Sequence, residues 1–195
     1  MNEIPTSYEI TQRHAHLTCT WHEGAPSVSG DGLLLLVEEN HLRNFSLWHE
    51  EDVARRDDLG AESVRRSKRA IDRYNQERND FVEKMDRLLV ELLRPKSENV
   101  PHNSETPGMM IDRLSILALK EFHMNEQAER NDATPEHREK CAQKLGVIKK
   151  QIEDLSGALD ALIEEAKAGK RSFRVYFQFK MYNDPSLNPQ LYGKK

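Results

Sequence analysis

The sequence predicts an all-α fold: an antiparallel four-helix bundle over residues 33–169, with an extended N-terminal arm over 1–32 and an aromatic-rich C-terminal segment over 170–195. Three observations carry the prediction. Apolar residues recur at spacings of three, four and seven along the middle of the chain. Two Thr-Pro pairs, Thr106-Pro107 and Thr134-Pro135, stand where apolar periodicity begins. Charged residues make up 32% of the chain against 37% hydrophobic, a balance that suits amphipathic helices better than sheets.

The arm comes first. Its Pro, Gly, His and Thr residues show no helical period, and it closes on "SVSGDG". From Leu33 to about Asp57, Leu35, Leu42, Phe45, His49 and Asp52 fall near one helical face, and "DDLG" ends the run. A longer helix is expected from about Ala61 to Leu93. Its line is Ile71, Tyr74, Phe81, Met85, Leu88 and Leu92, and it stops before Pro95. The third helix begins at Thr106, whose oxygen can accept from free first-turn amides while Pro107 has no amide to lose. Its apolar surface runs nearly all round, marking it as the most buried helix. The fourth helix has the cleanest seam, stepping by four and three from Cys141 through Leu145, Ile148, Ile152, Leu155, Leu159 and Leu162 to Ala166, with Gly169 ending it. The last segment holds Phe173, Tyr176, Phe177, Phe179 and Tyr182; it is expected to wrap over the bundle or to face a partner or a membrane surface.

Bulk properties narrow the function classes. At 195 residues the chain fits one domain with tails. A net charge of −4 argues against a general nucleic-acid coat. Two cysteines, Cys19 and Cys141, imply no disulfide framework, so a cytoplasmic location is expected. "MNEIPTSYEI" lacks the pattern of a signal peptide, and the apolar run Leu33 to Val37 is far too short to be a transmembrane segment.

In a bundle, a site is built from polar side chains that interrupt apolar faces. His49 and Asp52 continue the Leu42-Phe45 line three residues apart. Asn75 and Arg78 lie close to the Tyr74-Phe81-Met85 line, beside an acidic stripe that includes Asp72, Glu83 and Asp86. On the third helix Asp112, Ser115 and His123 share one side, and Arg113 and Lys120 another. Unpaired charge inside a core is costly, so these groups must meet each other, water or a ligand. One outcome is a buried network that fixes helix register. The other is a cleft for a small anionic or hydroxylated ligand.

Other chemistries have weaker support. His14, His16, Cys19 and His22 have spacings a zinc ion could use, but no second cluster accompanies them. The helices do not supply the two Glu-x-x-His pairs of a carboxylate-bridged di-metal bundle, so no metal is expected. The helix start at Thr106 and Gly108 could receive a phosphate. Capping alone also explains those residues, and no Gly-rich phosphate cradle or dinucleotide fingerprint is present.

Four ordered blocks, "LWHEEDVARRDD", "IDRYNQERNDFVEKMD", "IDRLSILALKEFHM" and "FKMYNDPSLNPQLY", resemble an uncharacterised bacterial domain-of-unknown-function family over roughly residues 33–192. The resemblance marks Trp48, His49, Glu51, Asp52, Asp72, Asn75, Gln76, Arg78, Asp112, Arg113, Ser115, Lys120 and His123 as family-type positions. It implies no catalytic role and leaves the cofactor unknown. Its members tend to be encoded near glycosyltransferases of surface polysaccharide assembly, an association rather than a mechanism. The expectation is a helical accessory protein of cell-surface polysaccharide or lipopolysaccharide glycosylation. It would contact a glycosyltransferase or hold a sugar-phosphate-type ligand through Trp48, Asn75, Arg78, Asp112, Arg113, Ser115, Lys120 and His123. Two alternatives stand beside it. One is an enzyme with His49 as general base oriented by Asp52, and Arg78 and Arg113 holding an anionic substrate. The other is a structural homo-oligomer joined through the fourth-helix seam.

Overall fold

A computed structural model describes residues 4–96, 98–179, 181 and 184–193. Its long helices are α1 (Ser7–Glu23), α2 (Gly32–Ala54), α3 (Ala61–Leu93), α4 (Pro107–Glu129) and α5 (Pro135–Lys167), and a single turn, α6 (Pro189–Tyr192), lies near the C-terminus. Among the described residues there is no strand, only one isolated parallel bridge between His102 and Ser172. The all-α expectation therefore holds, with five long helices where the sequence pattern suggests four.

The difference is α1, which occupies much of the expected extended arm. Thr6 caps it: its hydroxyl accepts from the Glu9 amide, and the Glu9 side chain returns to the Thr6 amide. Ile10, His14, Leu17, Thr18 and Trp21 are buried along one side. Two of those five are polar, which hides the period from an apolar-only reading.

Helices α2 and α3 form one hairpin and α4 and α5 another, each pair packing along its length, and α1 lies against α4 with lesser contact to α2 and α5. The Thr-Pro starts behave as sequence chemistry requires. Thr106 accepts from the Met109 amide and Thr134 from the His137 amide. Gly169, at φ +63°, takes the left-handed conformation after α5 that a residue with a Cβ resists.

The main core joins Val37 of α2, Met85 and Leu89 of α3, Ile111 and Leu114 of α4, Leu159 and Leu162 of α5, and Ile10 of α1. A smaller cluster of Leu17, Trp21, Phe45 and Leu119 sits beside it. The α5 seam is spent here. Cys141, Leu145, Leu155, Leu159, Leu162 and Ala166 are buried within this one chain, and Ile148 and Ile152 pack against the same core. Most of the seam expected to join two copies is therefore covered by the chain's own helices. The C-terminal segment packs back along its first part, as far as Gln178, whose amide donates to Glu83 at 3.0 Å. Phe173 is buried and Ser172 exchanges backbone bonds with residues 101 and 103, whereas Phe177 and Phe179 are exposed. Tyr182 lies outside the described residues.

Candidate functional site

A groove of about 410 Å³ opens between α2, α3 and α4. Helix α2 contributes Asn44, Leu47, Trp48, Glu51, Asp52 and Arg55, residues that its three- and four-residue steps place on one face. Asn75 and Arg78 enter from α3, and Ile116 and Leu119 of α4 close the apolar side. The sequence-predicted Trp48, Asp52, Asn75 and Arg78 therefore meet here.

Charge in the groove is largely spoken for. Arg78 grips Asp112 of α4 with both ends of its fork: Nε donates to Oδ1 at 2.7 Å and Nη2 to Oδ2. The bidentate bond raises the Arg78 pKa further. Arg55 pairs with Glu51 at 2.6 Å. Two groups are left over. Neither the exposed Asp52 carboxylate nor the half-buried Asn75 amide makes a side-chain hydrogen bond or ion pair among the described residues, and Trp48 lines the same groove. With both arginines paired, Asp52 leaves the groove with an excess negative charge.

Behind the Arg78–Asp112 pair runs a buried relay. Asp112 Oδ1 accepts from the Asn40 and Asn44 amides, each at 3.0 Å. Asn44 also donates to Ser115 Oγ at 2.9 Å. Ser115 lies 2.8 Å from His41 Nδ1, and His41 Nε2 lies 3.0 Å from Thr18 Oγ1, which donates to the His14 carbonyl. One proton arrangement satisfies every link. Ser115 donates to His41 Nδ1, and His41 Nε2–H donates to Thr18. The relay pins α1 to α2 and α4. Desolvation holds the His41 pKa well below its ordinary value, with the His14 ring adding to the effect. His14, stacked on His41 at 4.6 Å, has no hydrogen-bond partner for either ring nitrogen among the described residues, and burial lowers its pKa to about 3.

His49 belongs to a different neighbourhood. Its ring meets His22 at 5.1 Å, Phe45 at 4.5 Å and His123 at 6.2 Å, edge to face. Burial, then His22 and His123, lower its pKa against the pull of Asp52. No hydrogen bond joins His49 to Asp52, so the geometry of a base oriented by that carboxylate is not formed. His123 stacks flat on Trp48 at 4.6 Å and thereby supports one wall of the groove.

Arg113 and Lys120 do not join the set. They face a separate groove between α4 and α5, where Arg113 pairs with Glu105. Their side of α4 is turned away from Arg78, so they cannot hold the same small ligand. The phosphate position at Thr106 and Gly108 is also corrected. The anion at the start of α4 is the protein's own Asp86, which accepts from Thr106 Oγ1 at 2.5 Å and from the Gly108 amide at 2.7 Å. A Cβ on Gly108 would come within 2.7 Å of Asp86 Oδ1 and of the Val82 carbonyl. Glycine here serves close helix packing. Burial raises the Asp86 pKa to about 6, against the two hydrogen bonds.

Among the described residues no group of three or more His, Cys, Asp or Glu side chains is arranged to hold a metal. His14 is buried while Cys19 is exposed, so the cluster spaced for zinc is split across faces of α1. One Glu-x-x-His pair does exist, Glu38 with His41. It serves other bonds: Glu38 is fully buried and accepts from Arg13 and from the Ser29 and Gly30 amides. Asn40, His41, Asn44 and Thr18 are the residues that sequence reasoning missed, and Asp86, read there as part of an acidic stripe, is instead the buried partner of Thr106 and Gly108. Asn40, His41 and Asn44 stand at three- and four-residue steps on α2, a polar stripe that mapping from apolar neighbours passes over.

No curated protein and no solved structure matches the chain. A family model does: the family described as a protein of unknown function, DUF4254, matches residues 34–175, and the chain belongs to it.

Proposed function

We propose that the groove between α2, α3 and α4 holds a hydroxylated, sugar-type ligand, and that the protein is an accessory of cell-surface polysaccharide or lipopolysaccharide glycosylation that works beside a glycosyltransferase. The observation that carries the ligand reading is that Asp52 and Asn75, which make no side-chain hydrogen bond or ion pair among the described residues, line the same groove as Trp48, about 410 Å³ in volume. A carboxylate and an amide can accept from and donate to ring hydroxyls, and an indole face suits the C–H side of a sugar. Arg78 and Arg55 are spent on Asp112 and Glu51, so a phosphate finds no free cation here. The favoured ligand is neutral or cationic, such as a glycosyl or amino-sugar unit. The envelope setting rests on the family resemblance and its association with glycosyltransferases.

A thermal-shift panel of neutral sugars, amino sugars, sugar phosphates and nucleotide sugars tests the reading. A ligand at a hundred times its Kd adds about 2.7 kcal/mol, which for a chain of this size raises Tm by roughly 5–10 °C. The expected result is a rise with neutral or amino sugars that Trp48→Ala and Asp52→Ala each remove. Flat curves across the panel, or a rise that survives both substitutions, contradict it.

A further inference from the structure

The C-terminal segment concentrates the exposed apolar surface of the molecule. Of eleven large hydrophobic side chains exposed among the described residues, six fall in the last 19 positions: Phe177, Phe179, Met181, Leu187, Leu191 and Tyr192. Phe179 is 79% exposed and Tyr192 61%. Elsewhere such residues are scattered singly, which is ordinary for a protein surface. Phe177 and Phe179 lie side by side with ring centroids 5.7 Å apart, and exposed apolar surface gathered in this way marks a contact site.

Charge says what the contact is with. From Lys170 to Lys195 the sequence holds six Lys and Arg residues and one acidic residue, Asp184, a net of +5. The whole chain is −4, so the residues before this segment carry −9. Lys170 and Arg174 are exposed and make no ion pair among the described residues, and Arg87 of α3 lies over the Phe177 ring at 5.5 Å. Four of the six cations are lysines. Lysine is depleted in protein–protein interfaces, whereas lysine and arginine interleaved with aromatic rings is the composition of segments that lie on anionic lipid.

We propose that the described part of the C-terminal segment, residues 170–179, 181 and 184–193, forms a peripheral docking surface for an anionic lipid bilayer, with Phe177, Phe179 and Tyr192 entering the headgroup region and Lys170 and Arg174 on its charge. No helix among the described residues is long and apolar enough to cross a membrane, so attachment of this kind is at the surface. The inference is independent of the groove.

Vesicle co-sedimentation of the full chain tests it, with phosphatidylcholine vesicles and with vesicles that also carry phosphatidylglycerol, at low and high salt. The expected result is binding to the anionic vesicles that exceeds binding to the neutral ones by about tenfold or more and falls with salt. Phe177→Ser with Phe179→Ser, and separately Lys170→Gln with Arg174→Gln, each lower that binding by about tenfold. All four positions are exposed, and Tm confirms the fold; if the first pair alters Tm, Phe179→Ser with Tyr192→Ser replaces it. Absence of binding to anionic vesicles, equal binding to neutral ones, or binding unchanged in the variants would overturn the proposal. The first of these outcomes is also what a protein partner for the segment would give.

Discussion

Asp112 accepts from Arg78, Asn40 and Asn44 at once, so its loss strands three donors in a largely buried place. Removing one partner of a buried ion pair costs about 3–5 kcal/mol. Arg78 is partly open to the groove, which places Asp112→Ala nearer about 3 kcal/mol, read as a fall in the urea midpoint at unchanged slope. Asp86 predicts a pH effect with a definite sign. Its folded pKa is raised to about 6, from an ordinary 3.8. The associated stability is fully present below pH 4 and is lost as pH rises through about 6. Asp86→Asn keeps an acceptor for the Gly108 amide and removes the ionisation. Between pH 4 and 8 the variant gains stability over the parent by about 2 kcal/mol; denaturation curves at the two pH values measure it, and a gap that stays constant counts against the assignment. At this scale the sequence is partly legible. Asp112 and Ser115 stand out as polar breaks on an apolar helix. Thr106 reads as a cap but not as the partner of Asp86, 20 residues away, because nothing local signals which carboxylate will reach it.

Helix boundaries are the clearest part of the sequence. Ala61–Leu93 ends ahead of Pro95, and the Thr-Pro starts of α4 and α5 fall where their capping chemistry puts them. Helix α1 shows what apolar periodicity leaves out. Its capping box, Thr6 with Glu9, was present in the sequence, but its buried face includes His14 and Thr18, whose place in the core depends on His41 and Ser115 from other helices. The same face makes α1 part of the core rather than an appendage. Deleting residues 1–24 removes Ile10, Leu17 and Trp21 from both clusters and Thr18 from the relay. Losing one large buried side chain costs about 2–5 kcal/mol. The truncated chain is therefore expected to lose its cooperative thermal transition by circular dichroism. A truncated chain that melts like the parent would show that α1 docks loosely.

Across the whole molecule, the two hairpins and α1 bring side chains from α2, α3 and α4 to one groove while turning Arg113 and Lys120 to another. That division follows from which face of α4 meets α3, and spacing along one helix does not contain it. The most direct test of the groove is a 15N-correlated spectrum of the two tryptophan indoles during titration with a neutral sugar. Trp21 is an internal reference, buried and donating its indole N–H to the Ser27 carbonyl at 3.1 Å; Trp21→Phe assigns the two peaks. A saturable shift of the Trp48 indole with the Trp21 indole unmoved, abolished by Asp52→Ala, is the predicted result. A Trp48 indole that stays still through the sugars that stabilise the protein would place their binding elsewhere and contradict the assignment of this groove.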